Sequence, residues 1–190
     1  MNMKAVDINK EIEMNALICY DTKYGSTTQI CHFIKSGMEM NADIKNICEV
    51  NSFDYDLIII GSPIFIGKPM KSVRDFIISN YEKLRDQKVA VFVTCWAMAT
   101  EYGASSGEFL EQLKKHLPPC YLICERALPG KLLLDKVNEQ DQQIMKRLLR
   151  RLDSMIGEFD SQKIAWRDAR DKQIAMDFGK EIEGKLMQLV

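Results

Sequence analysis

A short polar segment, TKYGSTT, carries the residue types best suited to binding a small anion. It follows the apolar run ALICY and places three hydroxyl residues, Thr22, Ser26 and Thr27, around Gly25. If the segment opens a helix, unpaired backbone N–H groups and the helix dipole attract an anion there, and Gly25 lets it approach the backbone closely. We therefore predict a phosphate loop at residues 22–27. An ordinary helix start with spare hydroxyls is the alternative.

Two further segments contain residues that could surround a ring attached to that phosphate. GSPIFIGKP follows the apolar run LIII, and TCWAMATEYGASSG follows the run VAVFV. We interpret both as loops at one edge of a sheet, the first exposing apolar side chains and the second beginning with an aromatic one. Apolar loop residues usually cover something, and the three loops together suit a flat, phosphorylated, apolar ring system such as FMN. The candidate binding residues are Thr22, Lys23, Tyr24, Gly25, Ser26, Thr27, Pro63, Ile64, Phe65, Ile66, Gly67, Thr94, Cys95 and Trp96.

Five apolar runs predict the strands that position these segments. They lie at residues 16–20, 57–60, 89–93, 121–124 and, more weakly, 44–50. Continuous rather than alternating apolarity indicates strands buried on both faces, as in parallel sheets. Apolar residues spaced by three and four, as in a helix, lie between the runs and again at 174–189. The pattern predicts a doubly wound α/β sheet, in which ligands bind beyond the carboxyl ends of the strands.

The last third of the chain departs from this alternation. We assign residues 127–167 to an insertion and residues 15–190 to one domain, with a polar extension at 1–14. Within the insertion, residues 144–156 form a predicted amphipathic helix, with an apolar arc of about 140° opposite a basic side. That helix either packs on its own domain or rests on an anionic membrane surface. Its basic residues are Lys146, Arg147, Arg150 and Arg151.

Composition limits the classes of partner and compartment. With 26 basic and 27 acidic residues, the formal net charge is -1, which gives no global field for nucleic acid. No Cys or His residues show metal-ligand spacing, and Cys120 and Cys124, in a predicted strand, lie too far apart for a disulfide. The first 14 residues lack the apolar core of a secretory signal, and no apolar run approaches the roughly 20 residues of a membrane span. We expect a reduced, cytoplasmic protein.

Other phosphate-binding classes lack their motifs. The chain has neither GxxxxGK[ST] nor a GxGxxG after the first strand. A response-regulator receiver needs an acidic residue where Gly61 and Ser62 stand. A low-molecular-weight phosphatase needs an Arg six positions after a Cys, whereas Cys19 is followed at that distance by Gly25.

The phosphate loop resembles that of the flavodoxin superfamily, which has the form [ST]-x-[ST]-G-x-T. Thr22, Gly25 and Thr27 match it, and Tyr24 replaces the middle hydroxyl residue. Within the superfamily, the segments YDTKYGSTTQI, DLIIIGSPIFIGK and DFGKEIEGKL resemble the menaquinone-dependent protoporphyrinogen oxidases over nearly all of residues 15–190.

The resemblance implies a flavodoxin-like five-stranded parallel sheet, in the order 2-1-3-4-5, that binds FMN. It implies that the first loop holds the phosphate, that residues 63–67 cover one ring face and N5, and that residues 94–96 contact the pyrimidine side. It also implies that the Ile66–Gly67 peptide can flip to hydrogen-bond N5. Because FMN supplies the redox chemistry in such proteins, we assign no catalytic acid or base.

For function, the resemblance implies an FMN-dependent oxidoreductase, a protoporphyrinogen IX dehydrogenase that passes electrons to a quinone. The basic helix at 144–156 is the candidate for a peripheral contact with the inner face of the membrane. A one-electron carrier for a redox protein, an NAD(P)H:quinone reductase and a non-catalytic binding protein are the alternatives. Carrier flavodoxins are acidic, whereas this chain is nearly neutral and has Lys68 beside the loop predicted to face N5. A charge contributing about 1–2 kcal/mol would raise a one-electron potential by about 40–90 mV, which favours an oxidant of a small-molecule substrate.

Overall fold

The structure is a computed structural model that describes residues 14–96, 106–131, 136–156 and 168–189. Its strands are β1 (Asn15–Tyr20), β2 (Asn41–Asn46), β3 (Leu57–Phe65), β4 (Lys68–Pro69), β5 (Lys88–Cys95) and β6 (Tyr121–Pro129). Five of them are parallel, in the order β2-β1-β3-β5-β6, and β4 pairs antiparallel with β3. Because β4 only extends a hairpin, the parallel order is the predicted doubly wound one.

Helices cover both faces of the sheet, as the continuous apolar runs predicted. α1 (Ser26–Ser36) and α6 (Lys172–Met187) pack on one face. α2 (Lys71–Ser79), α3 (Tyr81–Leu84) and α4 (Ser106–Lys114) pack on the other. Neighbouring strand residues point to opposite faces of the sheet. Ile18 packs in the core under α1 and α6, Leu17 packs in the core under α2, α3 and α4, and both are fully buried.

α1 and α6 approach each other closely because glycine lies at both sides of their contact. A Cβ on Gly179 would lie 2.2 Å from the carbonyl oxygen of Ile34. A Cβ on Gly37 would lie 2.0 Å from the carbonyl oxygen of Met176. This packing fixes α1, and with it the phosphate loop that precedes α1, against the sheet.

The weak strand predicted at residues 44–50 is wrong in position. β2 ends at Asn46, and a short 3-10 helix follows at Ile47–Glu49. Asn46 caps that helix, because its side chain accepts a hydrogen bond from the Cys48 N–H at 3.1 Å. In return, the Glu49 carboxylate accepts one from the Asn46 N–H at 3.1 Å. This reciprocal capping box stops the strand.

The interpretation of GSPIFIGKP as a loop is also wrong, because β3 does not end at residue 60. It continues to Phe65, turns at Ile66 and Gly67, and returns as β4. The hairpin pairs Phe65 with Lys68, and Ile64 with the second residue of β4. Ile64 and Phe65 are therefore half-buried rather than exposed, while Ile66, at the turn, is 44% exposed.

The predicted helix of the insertion is present and begins earlier, as α5 (Glu139–Ile156). Lys146, Arg147 and Arg150 are exposed, and Met145 is buried. The apolar stripe predicted at residues 174–189 is buried in the middle of α6 but not at its ends, since Ile174 and Leu189, two residues beyond α6, are exposed. No helix in the described ranges is long and apolar enough to cross a membrane. The predicted extension up to residue 13, residues 97–105 of the third segment, and residues 132–135 and 157–167 of the insertion lie outside the described residues.

Candidate functional site

The three segments singled out in the sequence meet in one pocket at the carboxyl edge of the sheet. Ten of the fourteen candidate residues line it: Thr22, Lys23, Tyr24, Ser26, Thr27, Pro63, Ile64, Phe65, Thr94 and Trp96. Gly130, Lys131, Val137 and Met145 complete the lining. These residues come from five separate parts of the chain, so only the fold assembles the pocket.

The phosphate loop leaves backbone donors unpaired at the start of α1. Gly25 occupies the N-cap position with φ 77°, in the left-handed region, and no side chain caps the helix. The Thr22 hydroxyl oxygen accepts a hydrogen bond from the Gly25 N–H at 3.0 Å, which closes the loop on itself. A Cβ at Gly25 would meet nothing within 4 Å, so the space in front of the backbone is open. An uncapped helix start facing open space fits an anion.

Hydroxyl groups connect the start of α1 to the ends of β5 and β6. The Thr27 and Thr94 hydroxyl oxygens lie 3.1 Å apart and are buried, which joins α1 to the end of β5. The Ser26 hydroxyl oxygen accepts a hydrogen bond from the Lys131 N–H at 3.2 Å, just beyond β6. Because Ser26 uses only its oxygen in this bond, its own hydrogen stays available to an anion.

An apolar cluster closes the pocket on the side away from the sheet. Met145, which is 5% exposed, packs with Phe65, Trp96, Val137 and Leu148. Its position leaves a free volume of about 70 Å³, far below the several hundred that surround a ring-sized ligand. The cover that α5 supplies must therefore shift for a three-ring system to enter. Met145 and Leu148 of α5 thus pack against the domain to which α5 belongs.

Lys23 and Tyr24 hold α5 to the phosphate loop through one carboxylate. Asp141, in the first turn of α5, accepts a hydrogen bond from the Tyr24 hydroxyl and forms an ion pair with the Lys23 ammonium group. Burial acts to raise the pKa of Asp141, but hydrogen bonds from Lys23 and Tyr24 outweigh it, and the pKa lies below its ordinary value. Burial, together with the bond to Asp141, raises the pKa of Tyr24 to about 12. Tyr24 therefore remains a hydrogen-bond donor at neutral pH.

The hairpin turn beside the pocket is strained. Ile66 has φ 52° and Gly67 has φ 73°. Glycine adopts such values freely, but a β-branched residue does so rarely and at a cost of about 1–3 kcal/mol. The turn therefore stores backbone strain at the place where the resemblance puts N5.

Four candidate residues do not line the pocket. Gly25 occupies the N-cap position of α1, Ile66 and Gly67 form the hairpin turn, and Cys95 is a buried residue at the end of β5. The structure adds residues that the sequence did not indicate, above all Asp141 and Met145. Neither had a local signal. Asp141 acquires its role through a contact with Tyr24, 117 residues earlier in the chain, and Met145 through contacts with Phe65 and Trp96. In the described ranges, no three Cys, His, Asp or Glu side chains group as metal ligands would.

A comparison with known protein families shows what this pocket belongs to. The model of the flavodoxin domain matches residues 17–155, most of the sheet together with α5. The chain belongs to the flavodoxin domain family. A flavodoxin from the domain Archaea superposes with a TM-score of 0.51 at 13% identity, over 92% of this chain and 99% of that one. The likeness shows the flavodoxin fold.

Two weaker structural matches have flavin-related names. A flavoprotein from Lactobacillus acidophilus, solved in complex with FMN, has a TM-score of 0.48 and 18% identity, over 60% of this chain and 93% of that one. A WrbA-like flavodoxin from Agrobacterium tumefaciens has a TM-score of 0.49 and 16% identity, over 92% and 98% of the two chains. No curated protein matches the chain significantly.

Proposed function

We propose that this flavodoxin-domain protein is an FMN-dependent oxidoreductase. The observation that carries the proposal is the uncapped start of α1, which opens into a pocket walled by Phe65 and Trp96. Membership of the flavodoxin domain family supports the cofactor. The cofactor is FMN, because the loop offers one phosphate site and the sequence contains no fingerprint for a second nucleotide.

The residues of the chain bind and orient the cofactor rather than supply acid or base. When bound, FMN supplies the electron-transfer chemistry of the site. The N–H groups at the start of α1 and the hydroxyls of Ser26 and Thr22 would hold its phosphate through neutral hydrogen-bond donors. Phe65, Trp96 and Met145 provide apolar surfaces that exclude water from a ring system.

For the reaction, we propose the dehydrogenation of an organic substrate such as protoporphyrinogen, with a quinone as electron acceptor. The resemblance of three sequence segments supports this choice, and so does the nearly neutral charge of a chain with Lys68 on the hairpin. A one-electron carrier and an NAD(P)H:quinone reductase are the competing functions. A contact of the exposed basic side of α5 with a membrane also remains a proposal.

The proposal is tested by purifying the protein, releasing its flavin and identifying it by mass. Recovery of FMN is expected, whereas FAD would contradict the cofactor and a colourless protein that cannot be loaded would favour a binding protein. The flavin-loaded protein is then mixed with protoporphyrinogen or NAD(P)H and a panel of quinones. Bleaching by protoporphyrinogen with quinone reduction supports the proposed reaction, bleaching by NAD(P)H alone supports the reductase, and bleaching by neither leaves a carrier.

Lys68→Glu should lower the reduction potential of the bound flavin. Lys68 is exposed and pairs with Phe65 across the hairpin, so the reversal replaces a cation beside the pocket by an anion. An anion disfavours the addition of electrons, and a charge effect of about 1–2 kcal/mol corresponds to about 40–90 mV for one electron. Spectroelectrochemical titration gives the potential, and Lys180→Glu on α6 is the control. An unchanged or higher potential in the Lys68 variant would show that its charge does not act on the flavin.

A further inference from the structure

A second cavity, which we call the basic cleft, lies beside the flavin pocket. It has a volume of about 690 Å³ and lies between the phosphate loop, the hairpin and the start of α2. Four cationic side chains line it, Lys23, Lys68, Lys71 and Arg74, against one carboxylate, Asp21. The chain as a whole is nearly neutral, so this concentration of positive charge is local.

The carboxylate of the basic cleft is bound by neutral donors rather than by the cations of the cleft. Asp21 accepts hydrogen bonds from the Ser72 hydroxyl, from the Thr22 N–H at 2.7 Å and from the Asn46 amide at 3.3 Å. These three donors are neutral, and they occupy the oxygens of Asp21. The cations of the cleft therefore have no ion pair with its only acidic residue among the described side chains.

Two of the four cations have a partner elsewhere, and two have none. Lys23 pairs with Asp141, and Lys71 forms an exposed pair with Asp75 at 2.5 Å. Lys68 and Arg74 form no ion pair with any described residue. The Nε of Arg74 is moreover buried without a hydrogen-bond partner among those residues. A buried donor without a partner costs about 1–3 kcal/mol.

The basic cleft adjoins the flavin pocket directly. Thr22, Lys23 and Phe65 line both cavities, and the Lys23 nitrogen lies 4.2 Å from the centre of the Phe65 ring. The wall between the cavities is thus one layer of side chains thick. A molecule whose anionic group lies in the cleft can extend past Phe65 and Ile66 toward the flavin pocket.

We propose that the basic cleft binds the carboxylate or phosphate group of the small molecule that exchanges electrons with the flavin. The inference rests on the proposed function and gives its substrate a chemical class, an organic anion. Arg74 supplies a planar donor group suited to either oxyanion, and Lys68 supplies a mobile point charge at the entrance. Both are specificity-determining residues, because they recognise the anionic group and not the reacting ring.

The test compares two quinones that share a ring system and differ in charge. The flavin-loaded protein is reduced, and its reoxidation by neutral menadione or by 1,4-naphthoquinone-2-sulfonate is followed by stopped flow. In each case the flavin gives two electrons, which with two protons from solvent convert the quinone to the quinol. The readout is the ratio of the two second-order rate constants, since a change in flavin potential affects both rates. The sulfonate stands in for the anionic group of the substrate.

Lys68→Gln combined with Arg74→Gln should lower the ratio of sulfonate to menadione rates about tenfold, and Lys68→Gln alone should lower it severalfold. Lys180→Gln, the same change on α6, should leave it unchanged. Added salt should lower the ratio in the wild type and not in the double variant. Citrate and pyrophosphate, tested as competitors of the sulfonate, distinguish a carboxylate site from a phosphate site. Lys68 is exposed, so its substitution does not disturb the core. The proposal would be overturned by an unchanged ratio in Lys68→Gln, or by equal losses of rate for both quinones in the double variant.

The basic cleft can be tested even if the protein has no flavin chemistry. If the protein binds no flavin, isothermal titration calorimetry measures the affinity of 1,4-naphthoquinone-2-sulfonate for the wild type and for the two variants. Binding that weakens in both variants supports the basic cleft. Absence of binding, or equal binding in all forms, overturns it independently of the proposed function.

Discussion

Gly25→Val is expected to weaken FMN binding by about 100-fold or more while the sheet remains folded. Gly25 has φ 77° at the N-cap of α1, where a β-branched residue is strained by about 1–2 kcal/mol. Its Cβ position faces open space, which is where the loop would receive a phosphate. Strain that shifts the loop also breaks the Thr22–Gly25 bond and misdirects the N–H groups of α1. With lost phosphate bonds of about 1.5–3 kcal/mol, the total is about 2.5–5 kcal/mol, which matches or exceeds the roughly 2.7 kcal/mol of a 100-fold change.

Two controls separate strain from obstruction. Gly25→Asn retains the left-handed conformation at lower cost, because asparagine tolerates it, but still adds a side chain in front of the backbone. Gly184→Val makes the same change at an exposed position of α6 with open space around it. Fluorescence titration of FMN should rank the affinities as Gly184→Val, then Gly25→Asn, then Gly25→Val. Wild-type affinity in a folded Gly25→Val protein would remove this loop from the site.

The sheet could be predicted because its signal is local and repeated. Each apolar run is continuous, and the structure buries Ile58 and Ile59 equally, on opposite faces. The hairpin could not be predicted for the opposite reason. Gly61 and Pro63 are strand-breaking types, and Ile66 is a poor turn residue, so local preference argued for a loop. Tertiary pairing overrides that preference, since Pro63 lies beside Thr94 in register and Phe65 pairs with Lys68.

The candidate site also contains residues with a local sequence signal and residues that only tertiary contacts bring to the site. The loop before α1 could be singled out because consecutive residues form it, with hydroxyl residues around Gly25, whereas the absence of a side-chain cap on α1 is visible only in the structure. The cover of the pocket could not be recognised, since Met145 looks like any apolar residue of an amphipathic helix. Tyr24 shows most clearly what the sequence could not predict. The sequence placed it in the phosphate loop, and the structure gives it a second role as the hydrogen-bond donor that connects that loop to α5.

Asp141→Ala is expected to destabilise the protein by about 1–2 kcal/mol, with the loss concentrated in α5. The Asp141 side chain is 7% exposed, so its removal leaves the Tyr24 hydroxyl and the Lys23 ammonium without their shared acceptor. Breaking a fully buried pair costs about 3–5 kcal/mol, but Lys23 is 37% exposed and regains water, which lowers the expected loss. Urea unfolding measures the total, and hydrogen exchange should show the largest loss of protection between residues 139 and 156.

The pH dependence of this loss identifies the charge as its cause. The folded state lowers the pKa of Asp141, so its carboxylate stabilises the fold above the ordinary carboxyl pKa of about 4, and this contribution disappears as the pH falls through the folded-state value. The unfolding free energies of wild type and Asp141→Asn should therefore differ at pH 7 and converge in acid. Asp177→Asn, which removes an exposed carboxylate from α6, should change stability by less than about 0.5 kcal/mol. If Asp141→Asn and Asp177→Asn behave alike at pH 7, α5 is held by Met145 and its apolar neighbours and not by the Lys23–Asp141–Tyr24 contact.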